Sequence, residues 1–179
     1  MIHKVDLGIC GAYVYEGDGP TAVAVPGAML GGMPALWFAF EPLVEDGWQV
    51  VLVWDEYLDR SLDHWLWVRD RAEAAIEHAG GAALLIGKSL GCYAAQIDLP
   101  AVWLTPALTD DELVNVLRQR TAPSMFVGGT ADPMWERAVA HELGDVCELE
   151  GADHGLAHTS QGLRVGAAVR AFSGRLSRA

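Results

Sequence analysis

The sequence predicts an α/β protein with a mostly parallel central sheet flanked by helices. Three observations carry that expectation. Short apolar runs alternate with longer amphipathic ones from Thr21 onward, as in a parallel sheet covered by helices. The apolar runs lack strict alternation, as strands buried on both faces do. The 179 residues suit one domain (1–179) with one core, and no repeat, low-complexity tract or linker marks a second.

The elements follow in order. Val5 to Tyr15 (VDLGICGAYVY) reads as one or two antiparallel strands at a sheet edge. Strands are predicted at Ala22 to Val25, Gln49 to Trp54, Ala82 to Ile86, Ala101 to Leu104, Ser124 to Val127 and Val146 to Leu149. Helices are predicted at Pro34 to Glu45, Leu62 to Ala79, Gly91 to Ile97, Asp110 to Arg120, Trp135 to Leu143 and Gln161 to Leu176. Ser61 is a candidate cap for the second helix and Asp110 for the fourth, and Gly80, Gly81 and Gly144 are candidate stops at positive φ.

Composition narrows the function. Twelve Lys+Arg against 24 Asp+Glu give a net charge of -12, which disfavours nucleic acid and anionic membranes as partners and leaves small neutral or cationic molecules. Cys10, Cys92 and Cys147 are odd in number and scattered without metal spacing, so they read as small core residues in a reducing compartment. Met1 to Leu7 carries no apolar stretch of signal length, and no run of about 18 apolar residues is present. A cytoplasmic location, no metal and no cofactor are the expectations.

An open parallel sheet places its ligand site at the carboxyl ends of its strands, so the loops after each strand matter most. After the third clear strand comes Gly87-Lys88-Ser89-Leu90-Gly91, a G-x-S-x-G turn between a strand and a helix. Such a turn holds its serine under backbone strain, and needs glycine where a Cβ would collide with neighbouring backbone. A serine hydroxyl is a weak nucleophile near neutral pH and needs an imidazole to take its proton, oriented by a carboxylate. Gly128-Gly129-Thr130-Ala131-Asp132-Pro133 and Gly151-Ala152-Asp153-His154-Gly155 each follow a predicted strand and supply those two residue types. The chain order is Ser89, Asp132, His154.

With these motifs in that order, the chain resembles the α/β-hydrolase family from about Thr21 to its end. GKSLG is similar to its nucleophile elbow, GGTADP to its acid loop and GADHG to its histidine loop. The resemblance implies a compact α/β-hydrolase fold with no cap domain, like minimal carboxylesterase and dienelactone-hydrolase-like members. It also implies an oxyanion hole made by the backbone N–H of Leu90 and that of Ala28 or Met29, in the loop Val25 to Gly32. Pro26 before Gly27 departs from the frequent His-Gly form, but a backbone amide requires no particular side chain.

Asp110 and Asp111 are rivals for the carboxylate, since some members of the family draw it from the preceding strand; the competing reading makes them a helix cap and first turn. Asp153 is expected to point away from the base. His154 and His158 stand four apart, but Gly155 argues against a helix that would pair them on a metal. Lys88 is expected to be a solvated neighbour of the turn.

Trp54, Trp103 and Trp135, at or after strand ends, are candidate pocket walls, or else packing residues. Asp55, Glu56 and Tyr57 suggest an acidic side to the mouth. The function expected is a serine hydrolase cleaving a small ester or thioester. The alternatives are a silent binding or regulatory module, or an acyltransferase or lyase on the same fold.

Overall fold

A computed structural model describes residues 1–30 and 33–176. Eight strands form one sheet: β1 (Ile2–Asp6), β2 (Gly11–Tyr15), β3 (Thr21–Val25), β4 (Gln49–Trp54), β5 (Leu84–Lys88), β6 (Ala101–Leu104), β7 (Ser124–Gly129) and β8 (Asp145–Leu149). Their spatial order is β1-β2-β4-β3-β5-β6-β7-β8. The first two pairings are antiparallel and the rest parallel, so the N-terminal segment adds a hairpin to the edge of a parallel sheet.

The helices are α1 (Met33–Glu45), α2 (His64–His78), α3 (Asp111–Arg118), α4 (Arg137–Leu143) and α5 (Thr159–Leu176), with a 3-10 helix over Ser89–Gln96. Strand residues alternate between two apolar layers. Val23 and Val25 face a layer containing Trp67 and Val68 of α2 and Cys92 of the 3-10 helix. Ala22 and Ala24 face a layer containing Leu36 and Phe40 of α1 and Val165, Val169 and Phe172 of α5. Covering both faces explains why these strands read as apolar runs without a period of two.

Several boundaries differ from the sequence expectation. β5 runs two residues further, to Lys88, because pairing of Lys88 with Leu104 extends it, while Ala82 and Ala83 precede it. Register with neighbouring strands, not local apolarity, sets that end. The segment after Ser89 is a 3-10 helix, not an α-helix. It must return across the sheet between adjacent strands β5 and β6, and its rise of about 2.0 Å per residue covers more distance than the 1.5 Å of an α-helix.

Asp63, not Ser61, caps α2, accepting from the amides of Trp65 and Leu66; Ser61 is bonded to Asp59 instead. Asp110 caps α3, as the sequence suggests. Gly80 and Gly81 have positive φ after α2, but Gly144 is extended at φ 168. What requires glycine at 144 is space, since a Cβ there would lie 2.4 Å from the carbonyl oxygen of Ser124. No helix among the described residues is long and apolar enough to cross a membrane.

Candidate active site

The carboxyl ends of β3, β5, β7 and β8 bring the chemistry-bearing loops together. Ser89 follows β5 directly, at φ 51, a left-handed conformation costly for a residue with a Cβ. The flanking glycines allow the turn by close approach. A Cβ on Gly87 would lie 2.6 Å from the Gly91 carbonyl oxygen, and one on Gly91 would lie 2.3 Å from the Val25 carbonyl oxygen. No side chain fits at either place.

Asp132 sits in the loop after β7, where its Oδ1 accepts from the amide of Met134 at 3.0 Å. The histidine loop after β8 docks on the acid loop backbone to backbone: the amide of Ala131 donates to Ala152 O at 3.0 Å. A Cβ on Gly129 would lie 2.0 Å from that same oxygen of Ala152, so glycine is what lets the two loops touch. His154 Nδ1 then stands 2.8 Å from Asp132 Oδ2, and His154 Nε2 stands 2.8 Å from Ser89 Oγ. The chemistry of the partners sets the roles: Nδ1–H donates to the carboxylate, and Nε2 accepts from the hydroxyl. The Asp132 side chain is fully buried while that of His154 is 32% exposed, so solvent reaches the imidazole but not the carboxylate.

The rival carboxylates are engaged elsewhere. Asp110 caps α3 and accepts from the hydroxyl of Tyr93, and Asp111 lies in the first turn of that helix. Asp153 accepts from the amide of Gly155 at 2.9 Å and is exposed.

Gly27 to Met29, Lys88, Ser89, His154 and Gly155 line an open cleft of about 360 Å³. A larger hollow of about 480 Å³ lies at the edge hairpin against Lys4, Val5, Asp6 and Gly11, which pair no nucleophile with a base. Among the described residues, no hydrogen bond outside helices and strands runs from the amides of Ala28 or Met29, and Leu90 is the second residue of the 3-10 helix, where an amide has no partner within the helix. Leu90, with either Ala28 or Met29, is the pair of amides expected to face an oxyanion. The loop carrying Ala28 and Met29 passes close to the elbow, with the Cβ position of Gly27 3.5 Å from Ser89 Cβ. Gly31 and Gly32, the end of that loop, lie outside the described residues.

The tryptophans expected at the pocket are not among the residues lining the cleft. Trp103 is fully buried, its Nε1 donating to Ser124 Oγ. Trp135 packs against Gly128 and donates to Glu148 Oε2 at 2.9 Å. Trp54 stacks edge-on to Tyr13, centroids 5.0 Å apart. Trp103 and Trp135 are thus buried packing residues, and Trp54, half-buried, packs beside the edge hairpin.

The expected acidic mouth is also revised. Asp55 is paired with Arg71, Oδ2 to Nε 2.7 Å. Glu56 Oε1 accepts from the amide of Leu30 at 3.0 Å, and the amide of Tyr57 donates to Ala28 O at 2.9 Å. Glu56 and Tyr57 thus brace the loop that carries Ala28 and Met29.

Lys88 is buried, 3% exposed, not solvated. Its Nζ donates to Thr105 Oγ1 at 2.7 Å and to the carbonyl oxygen of His154 at 2.9 Å. Burial pulls its pKa below the ordinary lysine value, opposed by Cys92, Asp132 and Asp153. The expected strand ended at Ile86, so the burial of Lys88 followed only from the pairing that carries β5 on to residue 88.

No family model matches the chain, and no curated protein matches it in sequence. Solved structures do share its fold. Est1E from Butyrivibrio proteoclasticus, solved with ferulic acid bound, superposes at a TM-score of 0.77 with 14% identity, covering 99% of this chain and 100% of that one. The esterase domain of a Rhodothermus marinus protein gives 0.74 with 14% identity and 98% of each chain. An α/β serine hydrolase without a lid from Xanthomonas campestris gives 0.62 with 16% identity, over 98% of this chain and 94% of that one. At such identities the likeness is one of fold: the chain has the compact α/β-hydrolase fold of esterases and serine hydrolases.

Proposed function

We propose that this protein is a serine hydrolase that cleaves a small ester or thioester through an acyl-enzyme on Ser89. The observation that carries the reading is the line Ser89 Oγ, His154 Nε2, His154 Nδ1 and Asp132 Oδ2, with 2.8 Å at each hydrogen bond. His154 takes the proton of Ser89 as Oγ attacks the carbonyl carbon. Asp132 holds the imidazole in the tautomer with Nε2 free and stabilises the imidazolium that forms.

The tetrahedral oxyanion is received by the amide of Leu90 and that of Ala28 or Met29; losing one such donor typically costs about 3 kcal/mol in the transition state. His154 then gives its proton to the leaving oxygen or sulfur, activates water, and the acyl group leaves as a carboxylic acid. The open cleft suits small substrates that need no lid. Ferulic acid on the fold neighbour Est1E supports a carboxylic ester as the substrate class. A cytoplasmic setting fits the three cysteines, all free thiols.

The test is covalent labelling with a fluorophosphonate, alongside hydrolysis of short p-nitrophenyl esters. Wild type is expected to label stoichiometrically and to turn over the esters, and Ser89→Ala to do neither. Failure of wild type to label, or equal labelling of Ser89→Ala, removes Ser89 as the nucleophile.

A further inference from the structure

Lys88 departs most from what its position requires. It is the last residue of β5, its backbone fixed by pairing with Leu104 of β6. A buried ammonium forfeits its hydration, and an apolar side chain at the same place would avoid that cost. The ammonium finds two acceptors, on two different elements: Thr105 Oγ1 after β6 and the backbone carbonyl of His154 after β8. Thr105 is itself fully buried and held at φ 44, an uncommon conformation for a β-branched residue, with its amide bonded to Val127 O at 2.7 Å.

Backbone hydrogen bonds hold the histidine loop on either side of residue 154. The amide of Ala152 is anchored to Leu149 O, and Leu156 is buried with its amide on Asp153 O. Between these anchors, the bond from Lys88 is the only one made by the backbone of His154 among the described residues. Lys88 also immediately precedes Ser89. Its backbone therefore sets the nucleophile while its side chain holds the loop that carries the base.

We propose that Lys88 is a positioning residue of this site: its ammonium, steadied by Thr105, fixes the backbone of His154 and so keeps the imidazole in line between Ser89 and Asp132. The inference rests on the serine-hydrolase reading for its kinetic consequence, but its structural content does not depend on turnover. Lys88 donates to neither Ser89 Oγ nor the imidazole ring; it acts through the loop.

The experiment compares Lys88→Met, Thr105→Val and Thr105→Ser with wild type by three readouts. These are the rate of fluorophosphonate labelling at Ser89, kcat and KM on p-nitrophenyl acetate, and the low-field proton resonance of the His154 Nδ1–H held by Asp132. In Lys88→Met, labelling rate and kcat are expected to fall on the order of a hundredfold, the loss that misplacing a reacting group by about 1 Å produces. KM is expected to stay within about twofold of wild type, because the Lys88 ammonium, although its residue lines the cleft, is taken up by Thr105 and the His154 carbonyl. The low-field resonance broadens or disappears. Thr105→Val falls part of the way, and Thr105→Ser, which keeps the acceptor, recovers most of that loss.

A folded Lys88→Met with a wild-type labelling rate and a sharp low-field resonance overturns the proposal, whatever its melting temperature. Should Lys88→Met fail to fold, the two Thr105 variants decide, and equal rates in Val and Ser overturn it. If wild type does not label at all, the function reading fails alone, and the resonance still reports whether Lys88 places the imidazole.

Discussion

Ser89 at φ 51 and Asp132 with a fully buried side chain bear the strain and the desolvation of the site. Both costs fix geometry in advance of substrate. Asp132→Asn is an informative change, because Asn keeps an oxygen for the amide of Met134 yet presents an amide group to Nδ1 and favours the wrong imidazole tautomer. Turnover of a p-nitrophenyl ester is expected to fall on the order of a thousandfold or more, with the melting temperature changing little. Turnover equal to wild type would take Asp132 out of the mechanism. At this scale Ser89, Asp132 and His154 were legible as residue types at strand ends. Lys88 and the tryptophans were not, because exposure depends on which elements cover a position. Trp103 and Lys88 both lie at strand ends, and both are sealed by neighbours distant in sequence.

Loops are held here by other elements rather than by themselves. The acid loop leaves β7 and is pinned to β8, where Trp135 Nε1 and Arg137 Nε both donate to Glu148 Oε2, at 2.9 and 2.8 Å. The Arg137 hydrogen bond, with help from Trp135, holds the Glu148 carboxyl down at about 2. Its folded pKa lies below the unfolded value of about 4.3, so the stabilisation is full above that value and is lost as pH falls through about 2. Glu148→Gln is therefore expected to melt below wild type at about pH 7, with the gap narrowing at about pH 2.5. A gap that stays constant between the two would show that Glu148 contributes no titrating bond. Element order and type were readable from apolar runs, and β4 and β6 lie where expected. The end of β5, the cap of α2 and the 3-10 geometry after Ser89 were not, since register, side-chain aim and the span to be crossed belong to the assembled sheet.

Across the whole molecule, the segment between β6 and β7 contains α3 alone, and nothing among the described residues folds over the open cleft. The rate on short esters is then expected to rise smoothly and saturate, with no jump where the substrate begins to form micelles. A jump would require a covering element that opens at an interface. By itself the sequence determined the alternation of strands and helices, the acidic surface and the three motifs in order, because these follow from local pattern and composition. Only the tertiary structure decided that Asp132 and His154 meet Ser89 in one hydrogen-bonded line, that Glu56 braces the Ala28–Met29 loop, and that Lys88 reaches His154 from 66 positions away. Those contacts join residues from different strand ends, and their distances are set by sheet register and by the glycines that let loops touch, neither of which is written in any one segment.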